Sequence, residues 1–159
     1  MRSMGLDIGR RRIGVSVSDP LGISASPLEV LRDLDPDGLR RYVEEKAAAE
    51  DIGTVVVGLP LTLSGREGEQ AREAREYAEA LYGVRGIRVV LWDERLSSVE
   101  ARRRLCEAGK PARGGADSEA AAVILQSFLD RERAMKSGEE DIARDENGEK
   151  GRPPEKTCK

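Results

Sequence analysis

The sequence predicts an α/β protein, a mixed sheet with helices on both faces. Three β-rich stretches joined by short turns open the chain, as in an antiparallel meander. Strand-like and helix-like stretches then alternate, the pattern that layers helices over a sheet. The run at 53–58, Gly-Thr-Val-Val-Val-Gly, is β-branched without polar alternation, which fits a strand covered on both sides.

The first two strands are expected at 3–8 and 13–19. They flank a basic turn, Arg10-Arg11-Arg12, in a hairpin whose first strand ends on Asp7. The glycines nearby leave room for a metal or phosphate to approach the backbone, or Asp7 hydrogen-bonds its own turn. Asp19, before Pro20, shapes the next turn, and a less regular third strand covers 23–31. Asp35-Pro36-Asp37 starts a helix, with Asp35 or Asp37 near the cap and Pro36 in the first turn. Leu39, Val43 and Ala47 share one face of it. After the strand at 53–58, residues 59–68 form a loop rich in chain breakers. A helix over 69–81 turns Ala71, Ala74, Ala78 and Leu81 inward, and a strand over 87–92 runs into Asp93-Glu94-Arg95. Ser97 and Glu100 have capping-box spacing for a helix over 98–108. A glycine-rich basic loop, 110–116, precedes a last helix capped by Asp117 or Ser118. Its apolar face is Ala121, Ile124, Leu125, Phe128 and Leu129. Periodicity then fades, so one domain over 1–135 is expected to carry a disordered charged tail over 136–159.

Composition narrows the chemistry. The chain has 159 residues and no histidine. That excludes Ser-His-Asp and Cys-His nucleophile systems and His-ligated zinc, leaving carboxylates, lysine or bound metal. Cys106 and Cys158 stand apart from each other, so no disulfide framework is indicated. No apolar run approaches the roughly 20 residues of a membrane helix, and no secretion signal opens the chain; a cytoplasmic location follows. A net charge of -3 does not favour bulk attraction to nucleic acid, although basic clusters stand at 10–12 and 102–104.

If the late strands lie parallel to the first, right-handed crossovers bring their C-terminal ends to the edge that holds Asp7. Asp7, Asp93-Glu94 and Asp117 then share one crevice. Such carboxylates repel unless a cation sits between them, and hard cations take oxygen ligands. Each acid also has a plainer role open to it. Asp117 reads as a helix cap, Asp93 or Glu94 as a partner of Arg95, and Glu119 as a charge suited to a helix's first turn.

Four stretches in order, at 5–19 (Gly-Leu-Asp-Ile-Gly-Arg-Arg-Arg-Ile-Gly-Val-Ser-Val-Ser-Asp), 56–60 (Val-Val-Gly-Leu-Pro), 93–98 (Asp-Glu-Arg-Leu-Ser-Ser) and 117–126 (Asp-Ser-Glu-Ala-Ala-Ala-Val-Ile-Leu-Gln), resemble the YqgF/RuvX family. The likeness covers about residues 3–130. Those proteins are relatives of Holliday-junction resolvases, described as nucleases that mature the 5′ end of pre-16S ribosomal RNA. The resemblance implies a ribonuclease-H-like five-stranded sheet, its first three strands antiparallel and its later ones parallel. It implies catalytic Asp7, Glu94 and Asp117, with Asp93 assisting them in holding one or two Mg²⁺ or Mn²⁺ ions. Two departures stand out. Thr62 and Ser64 replace the Asn and Asp common in the family's loop, and Glu119 stands where a small or apolar residue is usual.

On this reading Arg10, Arg11, Arg12, Arg95, Lys110 and Arg113 hold backbone phosphates, contacts that position without reading sequence. Few aromatics are available for stacking, which favours recognition of shape in structured RNA, pre-16S rRNA being the expected partner. DNA junctions, acted on by a resolvase, are an alternative, as is a non-catalytic RNA- or protein-binding module on the same fold. An actin- or sugar-kinase-like ATPase also opens on an Asp-x-Gly hairpin, but needs two domains around its nucleotide. Monomer and homodimer are both compatible with the sequence.

Overall fold

The structure, a computed structural model, describes residues 1–97, 99–107 and 115–146, side chains at 100, 104 and 139–146 excepted. Five strands, β1 (Arg2–Ile8), β2 (Arg12–Ser18), β3 (Ala25–Arg32), β4 (Ile52–Leu59) and β5 (Arg88–Asp93), form one sheet in the order β3-β2-β1-β4-β5. The pairs β1–β2 and β2–β3 are antiparallel, whereas β1–β4 and β4–β5 are parallel. The mixed sheet is therefore as expected, and the parallel half brings the C-terminal ends of β1, β4 and β5 to one edge. Among the described residues four α-helices accompany it: α1 (Pro36–Glu50), α2 (Glu69–Leu81), α3 (Val99–Glu107) and α4 (Ala116–Glu146).

Local chemistry explains the boundaries. Asp35 caps α1 by accepting from Gly38 N at 2.7 Å, with Pro36 opening the first turn. Asp51 ends the helix in the left-handed conformation, φ 56°. The third strand starts at Ala25 rather than Ile23. Asp19 Oδ1 accepts from both Ile23 N (2.7 Å) and Ser24 N (3.1 Å) and holds those residues in the turn. A single 3-10 turn, Glu94–Leu96, separates β5 from α3. Of the capping box expected at Ser97 and Glu100, the serine half is not made: its hydroxyl is buried and has no hydrogen-bond partner among the described residues, and the Glu100 side chain lies outside them.

The last helix departs most from expectation. It continues through residue 136, where a disordered tail was expected to begin, and ends at Glu146. Ser137 Oγ donates to Arg133 O at 2.9 Å and Lys136 Nζ lies 4.0 Å from Glu132. A charged helix of Glu, Lys, Arg and Ala continues by propensity and i,i+4 pairing after its apolar face has ended. Residues 147–159 lie outside the described residues. No described helix is long and apolar enough to cross a membrane.

Two cores flank the sheet. Met4, Leu6, Ile13, Val15, Val55 and Val57 meet Leu39 and Val43 of α1 and Ala74, Ala78 and Leu81 of α2. On the other face Ala25 and Val56 meet Ala122, Ile124, Leu125, Phe128 and Leu129 of α4. Trp92 sets its ring edge-on to Phe128, centroids 5.5 Å apart, and donates to Ser127 Oγ at 2.7 Å.

Candidate active site

Asp7 occupies the penultimate position of β1, on the strand face shared by Ser3 and Gly5 and opposite to that of Leu6 and Ile8. That face receives α4. Its partner across the hairpin is Gly14. A Cβ at Gly14 would sit 1.9 Å from the carbonyl oxygen of Asp117. Only glycine there lets the first turn of α4 rest on β2, and that contact delivers Asp117 beside Asp7. One turn further, Ser16 Oγ donates to Ala121 O at 2.9 Å, and a Cβ at Gly5 would press within 2.8 Å of the same oxygen. The glycine near Asp7 that was expected to admit a ligand thus admits a helix, and Gly9 closes the turn by donating to Arg12 O at 2.9 Å.

Glu94 reaches the same space from β5. A Cβ at Gly58, the end of β4, would lie 2.8 Å from Glu94 Oε1, so the missing side chain makes room for this carboxylate. Asp7 and Glu94 share the wall of a cavity of about 560 Å³ with Ser97, Arg102, Glu119 and Ile124. Glu119, the departure on α4, thereby joins the cavity wall. Burial pushes the Asp7 carboxyl up to about 6, helped by the negative Asp117 beside it. Burial likewise pushes Glu94 up to about 7, with Asp7 and Asp93 adding repulsion. Asp7 is therefore the hinge of the set, coupled to Asp117 on one side and Glu94 on the other.

Asp93 is engaged elsewhere. Arg95 Nε lies 3.0 Å from both of its oxygens, Arg95 Nη2 lies 2.7 Å from Oδ2, and the Arg95 amide donates to Oδ1 at 3.0 Å. The guanidinium holds this carboxyl below its ordinary value. Adjacent residues at a strand end point to opposite sides. Glu94 enters the cavity while Asp93 anchors Arg95. Of the basic residues, Arg12 Nη1 stands 3.8 Å from Asp117, Arg10 Nη2 stands 3.6 Å from Glu69, and Arg11 is exposed at the turn. Lys110 and Arg113 lie outside the described residues.

The donor set is all carboxylate oxygen, which suits a hard cation. Among the described residues no three His, Cys, Asp or Glu side chains stand close enough to hold an ion by themselves. The acids couple as pairs around Asp7, and a pair fits Mg²⁺, which binds through one or two carboxylates and completes its shell with water and substrate phosphate.

The sequence model of RuvX, described as Holliday junction resolvase, matches residues 1–131. The chain belongs to the RuvX family. Among similar RuvX relatives, a candidate pre-16S rRNA nuclease of Anaeromyxobacter sp. (strain Fw109-5) is 47% identical over 133 residues, covering 82% of this chain and 97% of its own. One of Myxococcus xanthus (strain DK1622), of the same name, is 41% identical over 136 residues, covering 84% and 90%. A Thermus thermophilus RuvC solved with a Holliday junction substrate superposes with a TM-score of 0.58 at 19% identity, over 80% of this chain and 91% of that one. This likeness bears out the ribonuclease-H-like fold. Membership of RuvX places the chain among the nucleases, hydrolases of phosphodiester bonds.

Proposed function

We propose that the chain is a metal-dependent nuclease that cuts structured RNA in the 5′-end processing of pre-16S rRNA, with Asp7, Glu94 and Asp117 as its catalytic acids. The observation that carries this reading is the convergence of Asp7 with both Glu94 and Asp117, each brought in over a glycine, Gly58 and Gly14, whose side chain would block it. The names carried by similar relatives favour pre-16S rRNA as the substrate over a DNA junction.

Mg²⁺ or Mn²⁺, one ion or two, would supply activation of water for attack at phosphorus and stabilisation of the departing 3′-oxygen. Asp7 would hold such an ion together with Glu94 or Asp117, leaving the remaining positions to water and phosphate. Without a cation, Glu94 keeps its proton about half of the time near neutral pH and Asp7 keeps one only in mild acid, so loading near neutrality releases protons mainly from Glu94. Arg12, beside Asp117, limits the negative charge at the mouth of the site and stands where a backbone phosphate can replace the carboxylate as its partner. Asp93 fixes Arg95 instead of binding the ion, which leaves the guanidinium oriented along the same edge. The absence of a described membrane-crossing helix suits a cytoplasmic enzyme.

The test is cleavage of a structured RNA carrying a 5′ precursor extension, with Mg²⁺, with Mn²⁺ and with chelator. Wild type should cut with either ion and stop in chelator, and Asp7→Asn should lose about 10³-fold or more in rate. Equal rates in the two purified proteins would overturn the proposal and favour a binding module on the same fold.

A further inference from the structure

Residues 61–67, beside this edge, make a small hairpin that the catalytic reading does not use. Leu61 and Glu67 form its one bridging pair. Thr62 N donates to Arg66 O at 3.0 Å, Gly65 N to Thr62 O at 2.8 Å, and Arg66 N to Thr62 Oγ1 at 3.1 Å. Thr62 Oγ1 also lies 3.0 Å from Ser64 Oγ. The two residues that depart from the family's usual loop therefore close the hairpin internally. Gly65 takes φ +80°, which a side chain would resist, and completes the turn. The base is held by an ion pair between Glu67 and Arg75 and by Leu61, which packs against the core.

All this order presents one apolar side chain to solvent. Leu63, at the tip, is 99% exposed. A single exposed leucine on a surface means little. This one is held out by a closed set of hydrogen bonds, with two arginines at hand. Arg66 is exposed on the same hairpin, and Arg95 Nη1 reaches Leu63 O at 3.5 Å. Arg95 is also the residue that Asp93 grips at the end of β5, so the tip is tied to the strand end that delivers Glu94.

We infer that this hairpin is a base-contacting tip: Leu63 packs on the face of an unpaired or terminal nucleobase at a helix boundary of structured RNA, while Arg66 and Arg95 hold the flanking phosphates. Apolar side chains inserted at base steps unstack them, and the two arginines match a polyanion. The inference rests on the RNA-nuclease reading and names the feature of the substrate which that site selects.

The probe is an RNA hairpin with a single-stranded 5′ extension and 2-aminopurine at the helix boundary, bound by the full chain carrying Asp7→Asn so that it stays intact. Binding should change the fluorescence. Adding Leu63→Ala should abolish that change and weaken binding about tenfold, whereas Leu63→Met should keep both. The salt dependence of binding should stay the same, because the phosphate contacts remain. In the active protein, Leu63→Ala should slow cleavage of the same RNA about tenfold. An unchanged fluorescence response in Leu63→Ala, no response at saturation, or no binding of the probe would each overturn the inference. Equal cleavage by wild type and Asp7→Asn would instead sink the nuclease reading, leaving the fluorescence comparison to judge the hairpin alone.

Discussion

The two faces of the sheet are packed in different ways. Against α1 and α2, leucines, valines and alanines interdigitate, with Leu39, Val43 and Leu81 fully buried. Against the first turns of α4, the sheet offers Gly5, Gly14 and Ser16, and backbone meets backbone. The first face can absorb error by repacking side chains. The second cannot, because a main-chain carbonyl has no rotamer to change. That rigidity holds Asp117 against Asp7, on the face where the proposed reaction would take place.

The contrast breaks most sharply with one substitution on each face. Leu39→Ala should cost about 3 kcal/mol of stability through a cavity, while the folded fraction keeps its full turnover. Gly14→Ala puts a methyl where the Asp117 carbonyl lies and should cost a similar amount, about 3 kcal/mol. Its folded fraction should also lose about 100-fold in rate, since a displacement of about 1 Å at a reacting group has that effect. Urea unfolding followed by cleavage assays at matched folded fraction reads both. Comparable rates in the two variants would show that the close approach of α4 does not position the acids.

A second comparison uses proton linkage. In chelator, the Asp7 carboxyl titrates at about 6 when folded against an ordinary 3.8, and Glu94 at about 7 against 4.5. Between about pH 4 and 7 the folded protein keeps protons that the unfolded chain has released, so their contribution to stability falls as pH rises through this window. A shift of this size at Asp7 corresponds to about 3 kcal/mol at most. Asp7→Asn should therefore be more stable than wild type at pH 8, by about 1–3 kcal/mol, and gain little at pH 4. Mg²⁺ should restore wild type at pH 8 and do less for the variant. An Asp7→Asn protein no more stable than wild type at pH 8 would mean that the acids do not strain the metal-free fold.

Much of this was legible from residue order. Asp35-Pro36 announced α1, the β-branched run announced β4, and the spacing of Ala121, Ile124, Leu125 and Phe128 announced the buried stripe of α4. The ends of β1 and β5 follow from those elements, so Asp7 and Glu94 could be set at one edge before any coordinates. What escaped was non-local or orientational. Gly14 opposite Asp7 is a matter of hairpin register, and its contact with Asp117 spans about a hundred residues of chain. The choice between Asp93 and Glu94 turns on which of two neighbours faces the sheet's other side, and Arg95 would pair equally well with either on paper. The hairpin at 61–67 looked like a loop of breakers because its order comes from Thr62 and Ser64 hydroxyls, a weak local signal.

The finest test compares two serines near α4. Ser16 Oγ spans the gap between strand and helix, donating to Ala121 O at 2.9 Å, and is completely buried. Ser97 Oγ is buried beside the cavity and bonds to nothing among the described residues. Removing the first hydroxyl loses a made hydrogen bond and leaves a small gap in the rigid face, so Ser16→Ala should cost about 1 kcal/mol. Removing the second takes away an unsatisfied polar atom, so Ser97→Ala should leave stability unchanged or raise it by up to about 1 kcal/mol. Urea midpoints at constant slope resolve the difference. A loss in Ser97→Ala as large as in Ser16→Ala would mean that the Ser97 hydroxyl contributes to the fold in solution, and the contrast between a bonded face and an unsatisfied cavity wall would fail at its smallest scale.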